Sequence, residues 1–164
     1  MLTNIDLEEL CKHYKIPLRF CGMKDELPSK KGSSDGNYII NLQSSFQGEG
    51  THWTALNVSG NSAAFFDSYG APPSIEIEQF CKRNKKTLAF NNWIIQDLRS
   101  ENCGSFCLAF LLFLHKSSCS CSSAKKMNEF VNGFNDNTKK NDSILASFFQ
   151  ELGDKHPPRQ ILRL

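Results

Sequence analysis

Apolar residues fall at Ile5, Leu7, Leu10, Cys11 and Tyr14 of the opening stretch NIDLEELCKHYKI, an approximate helical stripe. It predicts an amphipathic helix capped at Asn4 or Asp6 and ended by Pro17. LRFCGM then reads as a short strand, and the Gly, Pro and Ser of KDELPSKKGSSDGN mark a surface loop. YIINL suits a buried strand. THWTALNVSG and NSAAFFDSYG are strand-like runs joined by the turn signal Ser59-Gly60-Asn61, the clearest hairpin in the chain.

Beyond the hairpin, the prolines of APPSIEIEQFCKRN suit a loop and a helix start at Ser74, with Ile75, Ile77, Phe80 and Cys81 on one side. WII is short and apolar and predicts a central strand. From Ser100 the period becomes helical: Phe106, Cys107, Phe110, Leu111 and Leu114 recur at threes and fours, and Leu108, Leu112 and Phe113 widen the stripe to nearly the full circumference. A helix apolar on almost every side belongs at the centre of a domain. AKKMNEFVNGF and DSILASFFQEL predict two further amphipathic helices, the second capped at Asp142 or Ser143. Pro157 and Pro158 disfavour regular structure in the tail GDKHPPRQILRL. A helix, several strands and then a run of helices predict one α+β domain over residues 1–164, with a small, mostly antiparallel sheet.

Composition narrows the function classes. A chain of 164 residues buries about 70% of the surface its unfolded form exposes, so it needs no staple. The net charge of +2 gives no general argument for nucleic acid or membrane binding. The local basic run Lys82, Arg83, Lys85, Lys86 leaves a DNA contact open, although such runs are ordinarily solvated faces. The acidic start MLTNIDLEEL is no secretory signal, and the apolar run Phe106–Leu114 is too short to span a bilayer. Seven cysteines, an odd number, fit a reduced intracellular protein with mostly free thiols. Cys119 and Cys121 have no second Cys or His pair at ligand spacing, so no metal site is expected.

One thiol stands apart. Cys103 lies between Asn102 and Gly104, where the central helix should begin and a side chain can stay partly accessible. There the unpaired N–H groups of the first turn favour negative charge by about 0.3 to 1 kcal/mol, whereas one unit of thiol pKa requires about 1.4. A basic partner is needed. His13 lies on the first helix, His115 at the end of the central helix and His156 in the tail. His52 instead opens a hairpin strand, with Asp67 expected as its neighbour at the far end of the next strand. An Asp bonded to one ring nitrogen would fix the tautomer and leave the other nitrogen for the thiol. Gln96 is placed to help the Cys103 N–H hold an oxyanion, whereas the adjacent Asp97 would repel one. Each residue alone has an ordinary structural explanation. Their order and spacing together point to thiol chemistry.

The series THW, FFDSYG and IIQDLRSENCGSFCLAFLL resembles the adenain family of adenovirus maturation proteases and, more distantly, the SUMO-specific proteases of eukaryotes. LEELCKHYKIPLRFCGMKDELP extends the resemblance to the N-terminus, so about four fifths of the chain is covered. The resemblance implies a papain-like cysteine protease fold with His before Cys in the chain. It implies His52 as general base and acid, Asp67 as orienting acid, Gln96 as oxyanion donor and Cys103 as nucleophile. It also implies glycine-containing cleavage sites reached through a narrow channel lined by Glu49, Gly50, Thr51 and Trp53. The function implied is an endopeptidase maturing viral capsid or core precursors, in the virion or inside the host cell. The alternatives are a protease for ubiquitin-like modifiers and an inactive binding module of the same fold. A monomer acting on protein substrates is expected, with no required cofactor. Adenain typically has Glu where this chain has Asp67, a departure compatible with a tighter hairpin. Peptide or DNA activation is left open, since Lys85 stands where adenain carries the cysteine that joins its activating peptide, Cys81 being close but not equivalent.

Overall fold

A computed structural model of the chain describes residues 1–28 and 34–151. The element order is α1 (Asn4–His13), β1 (Leu18–Met23), β2 (Gly36–Asn41), β3 (Trp53–Ser59), β4 (Ser62–Phe66), α2 (Ile75–Arg83), β5 (Thr87–Phe90), α3 (Cys103–Lys116), α4 (Ser123–Asn132) and α5 (Asn141–Glu151), with short 3-10 turns at Lys24–Glu26 and Thr138–Lys140. The α+β class holds. The tail containing His156, Pro157 and Pro158 and part of the loop before β2 lie outside the described residues.

The five strands form one sheet in chain order. Its centre is antiparallel, β2 against β3 and β3 against β4, but β1 joins β2 and β5 joins β4 in parallel. The sheet is therefore mixed rather than mostly antiparallel. Each edge strand is reached by a connection long enough to turn the chain round, where a tight hairpin would have reversed it. The hairpin forms as its turn signal predicts: Ser59 pairs with Ser62, and Gly60 takes the left-handed φ of 56° that a two-residue turn requires.

Strand alternation divides the core between the sheet's two faces. Ile39, Trp53, Ala55, Ala64 and Phe66 pack with α3, α1, α4 and α5, whereas Tyr38, Ile40, Leu56, Val58, Ala63 and Phe65 pack with Ile77, Phe80 and Cys81 of α2. Every residue of α3 from Cys103 to Leu112 is buried, as its all-round apolarity predicts. The Phe66 and Phe110 rings stack with centroids 4.8 Å apart and lock α3 to the hairpin.

Three local readings are corrected. α1 is capped by Thr3, whose hydroxyl accepts the Asp6 N–H while Asp6 accepts the Thr3 N–H, so the cap lies one residue before Asn4. α5 begins at Asn141, ahead of Asp142 and Ser143; the fully buried Asn141 amide donates to the Ile95 and Asn135 carbonyls. WII is no strand: Trp93 and Ile94 are exposed, only Ile95 is buried, and the N–H groups of Ile95 and Gln96 both go to the Ser68 carbonyl instead of a ladder. The strand of this region is β5, earlier and on the sheet edge. Among the described residues no helix is long and apolar enough to cross a membrane.

Candidate active site

The hairpin sets the first two groups. Ala55 pairs with Phe66, so His52, just before β3, and Asp67, just after β4, emerge at the same end of the ladder. His52 Nε2 lies 2.7 Å from Asp67 Oδ1. The same carboxylate oxygen accepts the Tyr69 N–H at 2.9 Å, and Asn91 braces the Asp67 backbone by accepting its N–H and donating to its carbonyl. Asp67 is 1% exposed and cannot swing to another partner.

The first turn of α3 brings the third group. Cys103 Sγ accepts the Trp53 backbone N–H at 3.5 Å and lies close enough to the His52 side chain to raise its pKa. Because Asp67 occupies Nε2, Nδ1 is the nitrogen left for the sulfur. Cys103 is 2% exposed, which corrects the expectation of a partly accessible side chain. Leu2 packs over the same first turn: its carbonyl accepts the Trp53 indole N–H at 2.8 Å, and its side chain lies 3.3 Å from where a Cβ on Gly104 would stand. A Cβ at 104 would meet Leu2 and Leu7 side chains at 3.3 Å, so glycine lets them pack closely over this turn.

The electrostatics favour a charged imidazole. Burial pulls His52 down, but the hydrogen bonds with Asp67 and Cys103, together with the charges of both, push it up by more, to about 9 from 6.5. The other thiols are suppressed: burial and the charge of Glu8 raise Cys11 and Cys21 to about 12, burial raises Cys81 to about 11, and burial raises Cys107 well above 9. Cys119 and Cys121 are joined in a disulfide, so five of the cysteines are free thiols.

Gln96 is buried near this cluster, and its amide is fully engaged. Oε1 accepts from Ser68 Oγ at 2.6 Å, while Nε2 donates to the Ser100 carbonyl at 2.7 Å and to Tyr69 Oη at 3.2 Å. The Tyr69 contact is the longer donor bond and the one a competing acceptor would displace. Tyr69 went unread in the sequence, although its place two residues after the acid is a usable signal. Its ring stacks on His52 with centroids 4.7 Å apart and planes 26° apart.

Of the expected channel residues, Glu49, Gly50 and Trp53 line one cleft, whereas Thr51 is exposed and donates its N–H to Asn41 Oδ1 at 3.2 Å. His13 and His115 lie at the C-terminal ends of α1 and α3. In the basic run, Lys86 is committed to Asp35 and the Gly60 carbonyl, which ties the hairpin turn to the end of α2. Among the described residues no three His, Cys, Asp or Glu side chains converge to hold a metal ion.

No family model matches the chain, and no curated protein matches it by sequence. Solved structures do share its fold. The selenomethionine crystal structure of the ASFV pS273R protease superposes with a TM-score of 0.52 at 16% identity, over 80% of this chain and 65% of that one. A second ASFV pS273R protease structure gives 0.50 at 16% identity, over 82% and 67%. The chain thus has the α+β fold of that protease and spans about two thirds of its length. A looser likeness, to AvrA delL154 with IP6 and CoA, has a TM-score of 0.42 at 19% identity, over 92% of this chain and 55% of that one, and carries no weight in the fold assignment.

Proposed function

We propose that the chain is a thiol-dependent endopeptidase that cleaves glycine-containing sites in viral capsid or core precursor proteins. One observation carries this reading: His52 is held between the buried Asp67 carboxylate, at 2.7 Å, and the Cys103 sulfur at the start of the central helix. In the mechanism, His52 takes the Cys103 proton through Nδ1 and the thiolate attacks the scissile carbonyl. The tetrahedral oxyanion is held by the Cys103 backbone N–H and by the Gln96 amide, which releases Tyr69 to do so. Imidazolium then protonates the leaving amine, and His52 activates the water that hydrolyses the thioester. The Trp53 backbone against Cys103 and the Leu2 side chain against Gly104 crowd the first turn of α3, which favours residues without side chains beside the scissile bond.

The test is hydrolysis of virion precursor polypeptides and of glycine-containing peptides, with iodoacetamide labelling mapped by mass spectrometry. Cleavage should be abolished by alkylation of Cys103, which should react faster than Cys11 or Cys21, whose thiols are raised to about 12. Processing of modifier conjugates alone would move the assignment to a ubiquitin-like-modifier protease. Labelling of Cys103 no faster than Cys11 or Cys21 would leave a binding module of the same fold.

A further inference from the structure

A cleft of about 670 Å³ runs between the N-terminal segment, the end of β1 and the loop before β3, and Trp53 forms part of its wall. It meets the catalytic cluster through that one residue, whose backbone N–H touches Cys103 Sγ at 3.5 Å. Among the described residues its lining includes two carboxylates, Glu26 and Glu49, and no lysine or arginine, while the Met1 ammonium on the same lining is paired with Glu101 at 3.1 Å. Both carboxylates are exposed; Glu26 uses Oε2 to accept the Met23 N–H, and Glu49 is in no ion pair among the described residues. Lys24, next to this wall, is taken by Glu76 at 3.2 Å.

A second feature of the same cleft is independent of these charges. Asn41 is fully buried, and its Oδ1 accepts the backbone N–H groups of Gln43 and Thr51, which fixes the orientation of the amide. Asn41 Nδ2 is then a buried donor with no acceptor among the described residues. It faces Gly50, where a Cβ would stand 2.6 Å from it, so only glycine leaves this part of the lining thin. A chain carbonyl drawn into the cleft would supply the missing acceptor.

We propose that this cleft is a subsite for a lysine or arginine of the substrate polypeptide, a specificity that rests on the peptidase reading of the neighbouring cluster. Leu2, Met23 and Trp53 pack the aliphatic stem, Glu26 and Glu49 receive the cationic head, and Asn41 faces the substrate backbone. Phosphate-bearing ligands are disfavoured by the same two carboxylates. The dominant contacts are exposed, so the charge preference is moderate and sensitive to salt.

The test uses glycine-containing peptides in matched sets that carry lysine, norleucine or glutamate at each position flanking the scissile bond. At one position kcat/KM should favour lysine over norleucine by about fivefold to tenfold, the scale of one or two exposed charge pairs. The preference should shrink at about 1 M salt, where the screening length falls to about 3 Å. The lysine-to-norleucine ratio should collapse towards one in the Glu26→Gln, Glu49→Gln double variant. The same peptides are also titrated by fluorescence anisotropy against Cys103→Ala protein, a readout that needs no turnover. Hydrolysis without a lysine preference overturns the subsite and leaves the peptidase reading standing. Lysine-selective binding that the double variant loses, in a protein that hydrolyses nothing, supports the subsite and sinks the peptidase reading. Failure of every peptide to bind overturns the subsite directly.

Discussion

Tyr69 lies face to face with His52, ring centroids 4.7 Å apart, while its hydroxyl accepts from the Gln96 amide at 3.2 Å. One residue thus supports the proposed base and ties down the proposed oxyanion donor. Its own backbone N–H is held by Asp67, so the ring is placed by the acid that also places His52.

Tyr69→Phe and Tyr69→Ala should therefore behave differently. Phe keeps the stack and loses a hydrogen bond of about 0.5 to 1.5 kcal/mol, so kcat should change by no more than about tenfold and the pH profile of Cys103 alkylation should keep its shape. Ala removes an aromatic face that favours imidazolium and so weakens the charge that stabilises the thiolate, which should move that profile to higher pH. Coincident profiles for Ala and Phe would remove Tyr69 from the positioning of His52.

Gln96 and Cys103 separate by a different pair of measurements. Cys103→Ser should fold and bind peptide yet lose nearly all turnover, because a hydroxyl is not ionised by a base suited to a thiol. Gln96→Ala should lower acylation by about a hundredfold to a thousandfold while leaving Cys103 alkylation nearly unchanged. It should also destabilise the protein by about 1 to 3 kcal/mol, since the buried Ser68 hydroxyl and the Ser100 carbonyl lose their partner. Parent-rate hydrolysis by Gln96→Ala would mean that the oxyanion hole is built from other donors.

The hairpin and the central helix were legible because each follows from a short-range rule: Gly60 supplies the turn, and the apolar circumference of Phe106 to Leu112 leaves only a buried position. The contact between His52 and Asp67 followed from the hairpin register. What the sequence did not disclose depends on contacts distant along the chain. Leu2 and Trp53 reach the first turn of α3 from distant parts of the sequence, so local pattern could not reveal that Cys103 is buried. WII misled because its apolar character serves one buried residue, Ile95, whose carbonyl is met by Asn141 of α5. The parallel edges depend on how β1 and β5 are reached, which strand propensity does not encode.

The pH dependence of stability follows from His52. Its pKa in the fold, about 9, lies above the 6.5 of the unfolded chain. The folded state therefore binds its proton more tightly, and the stabilisation is fully present below pH 6.5 and lost as pH rises through about 9. Urea midpoints measured across this window should fall for the parent and stay nearly flat for His52→Gln once the common background is subtracted. Asp67→Asn should flatten the curve in the same way by removing the partner that holds the charged ring. Parallel profiles in parent and His52→Gln would show that His52 is not ionised in the fold at neutral pH.

Two glycines with similar backbone angles should differ sharply when changed to alanine. Gly60 has φ 56° and nothing within 4 Å of an added Cβ, so Gly60→Ala should cost about 1 to 2 kcal/mol, the penalty of a left-handed L-residue alone. Gly70 has φ 68°, and a Cβ there would stand 2.9 Å from the backbone of Asn92 and Trp93. Backbone cannot rotate away as a flexible side chain can, so Gly70→Ala must push the 91–96 segment outward. That segment carries Asn91, which braces Asp67, and Gln96, which is tied to Tyr69. Gly70→Ala should therefore destabilise by more than Gly60→Ala in urea and also reduce turnover, whereas Gly60→Ala should lose stability with turnover at the parent level. Equal losses in both variants would mean that the 91–96 segment yields freely and does not hold the site in register.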